Sequence, residues 1–108
     1  MAKSRVYDCP VEATVDVIGG KWKVVILSHL INNKVLRFGE LRRLIPKATQ
    51  QMLTMQLREL ESNGLIHRKV FAQVPPKVEY TLTSEGETLA PIVKQMKTWG
   101  LTHLKIQK

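Results

Sequence analysis

The residues of this 108-residue chain able to do covalent chemistry are few: one cysteine, Cys9, and three histidines, His29, His67 and His103. The histidines have no metal-ligand spacing with one another or with Cys9, and no serine or cysteine nucleophile stands in a recognisable setting. The "GG" of "IGGKWK" breaks a helix and has no strand before it, so it is not a phosphate-cradling fingerprint. Neither a metal, a cofactor nor an enzymatic reaction is therefore expected. Cys9 carries the remaining reactive chemistry: a thiol before Pro10 at the start of a helix faces the positive end of the dipole, where thiolate chemistry is favoured. Asp8 and Glu12 oppose that effect, and a lone cysteine is also a common small buried hydrophobe.

Hydrogen bonding offers more. In "TQQMLTMQLREL", Thr49 to Leu60, the residues Leu53, Leu57 and Leu60 fall at i, i+4 and i+7 and form one apolar stripe. The opposite side carries Gln51, Thr54, Met55 and Arg58, with Gln50 at the N-terminal end, where a solubilising face would carry lysine and glutamate. Amides and guanidinium groups read base edges in the major groove, and apolar groups meet the thymine methyl. Gln50, Gln51, Thr54, Met55 and Arg58 are thus the candidate base-reading set. Arg42, Arg43, Lys47 and Lys77 are the candidate phosphate contacts, with Arg37, Arg68 and Lys69 nearby. Roughly six to ten such contacts per dimer would make binding fall by orders of magnitude between low and moderate salt.

These residues need elements to position them. With 44% hydrophobic residues and a formal net charge of +8, the chain reads as one folded domain spanning 1–108 with a bias towards polyanionic partners. Between Lys21 and Lys47 seven bases face the single acid Glu40. No apolar run approaches the length of a membrane span, and "MAKSRVYDCP" lacks the apolar core of a secretory signal, so a cytoplasmic location is expected. One cysteine excludes an internal disulfide.

Pro10 suits a first helical turn, and Val11, Val15 and Ile18 give a stripe ending at Gly19 and Gly20. A second helix is expected from about Lys21, with Trp22, Ile26 and His29 or Leu30 inward, and a third from Phe38, Leu41, Leu44 and Ile45, stopped by Pro46. Thr49 can cap the fourth, about 49–63, which Asn63 and Gly64 end. The period then becomes alternating: Ile66, Val70 and Ala72 share one strand face, Val78, Tyr80 and Leu82 another, and "QVPPK" joins them in a two-stranded ribbon, about 66–82. A last helix, about 84–105, shows a wider apolar band than a small domain can bury on itself. Ile92, Met96, Trp99 and Leu104 are its candidate dimer contacts, because specific DNA binding usually uses two symmetric half-sites. The order implies a mainly α fold with a small β-hairpin wing, a winged helix-turn-helix in which the 49–63 helix enters the major groove.

The stretches "CPVEATVDVIGGKWKVVIL", "RFGELRRLIP", "MLTMQLRELESNGLIHRKV" and "VPPKVEYTLTSEGETLAPIVKQMKTWG" together resemble the HxlR-type winged helix-turn-helix regulators of bacteria, from Cys9 to Gly100. The resemblance implies a cytoplasmic homodimer joined through its N- and C-terminal helices, one-component transcription control, and repression as the usual sign. Some relatives sense quinones, other electrophiles or oxidants through the cysteine before the proline of "CPVE", here Cys9; others respond to formaldehyde or are known only as DNA binders. Lys47-Ala48 stands where the family often has Gly-Ile, and Met55 replaces a more usual polar residue, which leaves the operator open. With no second cysteine, any disulfide would join two subunits or a small thiol. The expectation is a sequence-specific regulator acting on an operator in double-stranded DNA, with a small electrophile as candidate signal at Cys9. The alternative is a winged-helix interaction adaptor that binds no specific DNA.

Overall fold

The computed structural model describes residues 6–107, so positions 1–5 and 108 of the expected 1–108 domain lie outside the described residues. Pro10 opens α1 (Pro10–Ile18), which closes where the Gly19 N–H bonds Val15 O at 2.6 Å. Gly20, at φ +109°, turns the chain into α2 (Lys23–Asn33). A strand, β1 (Val35–Arg37), leads into α3 (Phe38–Leu44), whose Glu40 carboxylate accepts from the Arg37 N–H at 2.8 Å. The Thr49 hydroxyl accepts from the Met52 N–H at 3.0 Å and so caps α4 (Gln50–Ser62). Gly64, at φ +74°, ends that helix and sends the chain into β2 (Ile66–Phe71), β3 (Lys77–Leu82), α5 (Ser84–Glu87) and α6 (Ala90–His103).

The three strands form one antiparallel sheet in the order β1-β3-β2, with Leu36 opposite Tyr80 and Arg68 opposite Tyr80 on the other side. Helices α2, α3 and α4 bury Ile26, Leu27, Leu30, Leu41, Leu53, Leu57 and Leu60 against Ile66 and Tyr80 at the base of the sheet. Each such aliphatic side chain contributes about 1.5–3 kcal/mol of apolar burial, so the Leu53, Leu57, Leu60 stripe is what fixes α4 on the domain. This is the winged helix-turn-helix arrangement, mainly helical with a small β wing.

Several expectations need correction. The ribbon has a third strand, β1, because Val35–Arg37 pairs along the free edge of β3; three residues are too few to show a period in the sequence. The last helix is two: the chain breaks at Thr88 and Leu89, where Ala90-Pro91 restarts it as α6, and Leu104 lies just past its end. The second helix starts at Lys23, with Trp22 as its N-cap. Leu44 faces solvent, and so do Val11 and Val15, whose stripe has only Ile18 in the core. Val70 and Ala72 are exposed although Ile66 on the same strand is buried, since the wing runs out beyond the helices that cover its base.

Candidate nucleic-acid interface

Helix α4 turns its leucines inward, and the period then brings Gln50, Gln51, Thr54, Met55 and Arg58 together on the outside. All five line one shallow concavity of about 590 Å³. Two of them also bond locally. The Thr54 hydroxyl donates to Gln50 O at 2.8 Å, and the Gln50 amide oxygen accepts from Arg42 Nη1 at 3.4 Å, which ties α3 to the first turn of α4. Arg58 stands at the edge of a second cleft of about 320 Å³ between α4 and the sheet, lined also by Thr54, Glu61, Arg68 and Tyr80. Arg68, on β2, is paired with Tyr80 in the sheet, and the packing of that sheet beside α4 is what brings it to the cleft that Arg58 lines.

The expected phosphate contacts surround this face unevenly. Arg42, Arg43 and Lys47 are exposed on α3 and the turn that precedes α4. Lys77 begins β3, with its ammonium 3.4 Å from the Glu79 carboxylate and 4.4 Å from the Phe71 ring centre. A phosphate there would have to compete with Glu79, whose side chain, like that of Lys77, is only about a quarter exposed. The proline loop folds over the start of α3, where Arg37, Gly39, Gln73, Pro75 and Lys77 share a cavity of about 270 Å³.

Away from this face, Cys9 is exposed at the N-cap of α1, and its side chain makes no cap hydrogen bond. Ile92, Met96, Trp99 and Leu104 all stand in solvent, with Trp99 58% exposed and its ring centre 4.8 Å from that of His103. Only Val93 of α6 is buried. The sequence reading missed Gln56 and Lys23, both buried polar side chains. Gln56 was findable, because it lies between Leu53 and Leu60 at the helical period and so belongs to the inner stripe. Lys23 was not, since nothing local tells a buried lysine from a solvated one. Among the described residues no cluster of His, Cys, Asp and Glu could hold a metal, and no helix is long and apolar enough to cross a membrane.

The HxlR-like helix-turn-helix family model matches residues 17–108. The HTH-type transcriptional regulator YdeP of Bacillus subtilis, itself uncharacterized, is 63% identical over 92 residues, which cover 85% of this chain and 71% of that protein. The redox regulator HypR superimposes in its oxidized form with a TM-score of 0.85 at 58% identity, covering 91% of this chain and all of that one. Its reduced form gives 0.83 at 60% identity, covering 87% and 92%. The reduced form of the transcriptional regulator YodB from B. subtilis gives 0.74 at 32% identity, covering 94% of this chain and all of that one.

Proposed function

The chain belongs to the HxlR-like helix-turn-helix family and is a transcriptional regulator with a helix-turn-helix DNA-binding fold, and from that premise we propose that it is a sequence-specific, one-component repressor. It works in the cytoplasm as a homodimer, and no enzymatic step is involved: the family and the relatives are regulators. In this reading α4 enters the major groove, Gln50, Gln51, Thr54, Met55 and Arg58 meet base edges, and Arg42, Arg43, Lys47 and Lys77 hold phosphates on either side. The observation that carries it is the shared concavity of those five side chains, which has one charged residue in a strongly basic domain. Lysines there would add affinity without discrimination. The dimer forms through α1 and α6, whose exposed valines, Met96 and Trp99 are the apolar surface left over after folding.

A second reading concerns the signal. Cys9 is open to solvent at the start of α1, and two of the structures this chain resembles are a redox regulator, HypR, and YodB, solved in its reduced and diamide-treated forms. We infer that an electrophile or oxidant modifies the Cys9 thiolate and alters the dimer. With one cysteine per chain, oxidation by diamide joins Cys9 to its symmetry mate or to a small thiol, and the two electrons and two protons reduce the diazene to its hydrazine.

The test is a selection from a random duplex pool, then gel-shift titrations of the reduced protein on the recovered and a scrambled duplex at fixed salt, repeated after diamide and with Cys9→Ser. A preference for the recovered duplex of roughly a thousandfold or more, lost to diamide only when Cys9 is present, is the expected result. A preference indifferent to diamide removes the thiol reading alone. Absence of salt-dependent affinity for either duplex favours a protein-interaction adaptor and removes the DNA reading.

A further inference from the structure

Lys23 is only 7% exposed, and its ammonium donates in two directions: to Gly19 O at 3.2 Å, where α1 ends, and to Glu59 Oε1 at 2.5 Å, on α4. It is therefore a direct polar tie between the α1–α2 turn and the helix assigned to DNA. Three residues before Glu59, Gln56 is 8% exposed, and its Oε1 is buried without a hydrogen-bond partner. A Cβ placed on Gly20 would lie 3.3 Å from that oxygen and 3.4 Å from Lys23 Nζ, so the orphan acceptor and the ammonium flank the same point of the turn. An ammonium has three donors, of which two are engaged here. Turning the Gln56 amide over would set N–H donors towards that cation, so the oxygen belongs on this side.

A buried acceptor left unfilled next to a donor with spare capacity is costly in a finished core. We propose that Lys23, Gln56 and Glu59 are positioning residues that couple the attitude of α1 to that of the DNA-reading helix, with Lys23 exchanging between Glu59 and the open acceptor of Gln56. The two acceptors lie three residues apart on one face of α4, so the ammonium passes from one to the other by turning its own side chain, and its hold on Gly19 O changes as it does so. Gly20 permits it: its φ of +109° and missing Cβ leave both polar groups room to close on the backbone. Glu59 is 49% exposed on its side chain, so the engaged end of the tie is the one water can loosen. Any event that shifts α1, at Cys9 or at the dimer seam, then reaches α4 through one lysine. This rests on the reading that α4 meets DNA.

Linkage supplies the test, because a turn that biases DNA binding must itself be biased by DNA. Amide exchange of the Gly19–Lys23 segment is followed with and without the selected duplex in the unaltered dimer, in Lys23→Met and in Glu59→Gln, beside titrations on the selected and scrambled duplexes. The unaltered protein is expected to change protection at this turn on binding. Glu59→Gln is expected to lower the preference for the selected duplex by about fivefold or more while slightly raising affinity for scrambled DNA, since an acid is lost near a polyanion. A simple folding defect lowers both affinities together, and a simple charge effect raises both. Gln56→Met, which removes the second acceptor, is expected to slow exchange at the turn in free protein. If Lys23→Met does not fold, Glu59→Gln still decides. An unchanged preference and unchanged turn protection in Glu59→Gln overturn the proposal. Absence of DNA binding by the unaltered chain overturns the function proposed for α4, and this coupling with it.

Discussion

Arg58 is the candidate reader with the most to lose. It lines both the α4 concavity and the cleft facing Arg68, so its guanidinium can reach a base edge or, with Arg68, a phosphate. If it reads a base, Arg58→Ala costs about 1–3 kcal/mol on the selected duplex and much less on scrambled DNA; an equal loss on both, measured by titration at one salt concentration, transfers Arg58 to the phosphate set. His29 gives a separate test at this scale. Its partial burial on α2 lowers its pKa below the usual histidine value, because desolvation penalises the imidazolium. The unfolded chain then binds the proton more readily than the folded one. The His29 contribution is therefore present above the unfolded value of about 6.5 and is lost as the pH falls below it. Urea midpoints taken at about pH 7.5 and about pH 5.5 should drop further for the native protein than for His29→Gln.

Among the elements, α5 depends most on a single atom's worth of space. The Thr83 hydroxyl donates to Gly64 O at 2.6 Å and accepts from the Gly86 N–H at 2.9 Å, while the Thr83 N–H bonds Leu65 O at 3.0 Å. This lays the short helix on the α4–β2 turn. A Cβ on Gly86 would come within 2.1 Å of Leu65 O, a backbone atom that cannot move without disturbing the start of the wing. Gly86→Ala is therefore expected to cost about 1–3 kcal/mol, read from urea melts, and to weaken wing-dependent affinity on all DNA. The break between α5 and α6 was hidden in the sequence because Thr88, Leu89 and Ala90 continue the helical composition; Pro91 was the visible signal, and it suits the first turn of a new helix as well as the interior of none.

At the scale of the molecule, the domain spreads over 45 × 40 × 24 Å with a radius of gyration of 14.6 Å, above the roughly 13 Å of a compact chain this long. The excess agrees with a wing that runs out beyond the helices and with α1, of which only Ile18 is buried. Met96, 50% exposed, and Trp99 lie in the middle of the apolar α6 surface. Met96→Glu is expected to leave the monomer folded, by circular dichroism, and to halve the mass seen in sedimentation. Losing one of two half-site contacts should then weaken binding to the selected duplex on the order of a hundredfold. A variant that stays dimeric would move the proposed seam off this face.

The chain by itself determined the order of the first four helices, the hairpin, the inward leucine stripe of α4 and the family, because these rest on local period, capping residues and short motifs such as "GGKW" and "LRELE". The candidate reading set followed from the same period: whatever face the leucines bury, the other carries Gln51, Thr54, Met55 and Arg58. Tertiary structure alone decided the rest. Strand pairing placed β1 beside β3, contacts between residues 42 to 46 positions apart for which the sequence holds no periodic signal, and packing of the sheet beside α4 brought Arg68 to the cleft that Arg58 lines. Packing made Lys23 a buried tie to Glu59 and left Gln56 without a partner, because burial of a charge depends on what a distant helix brings to it, and no window along the chain contains both.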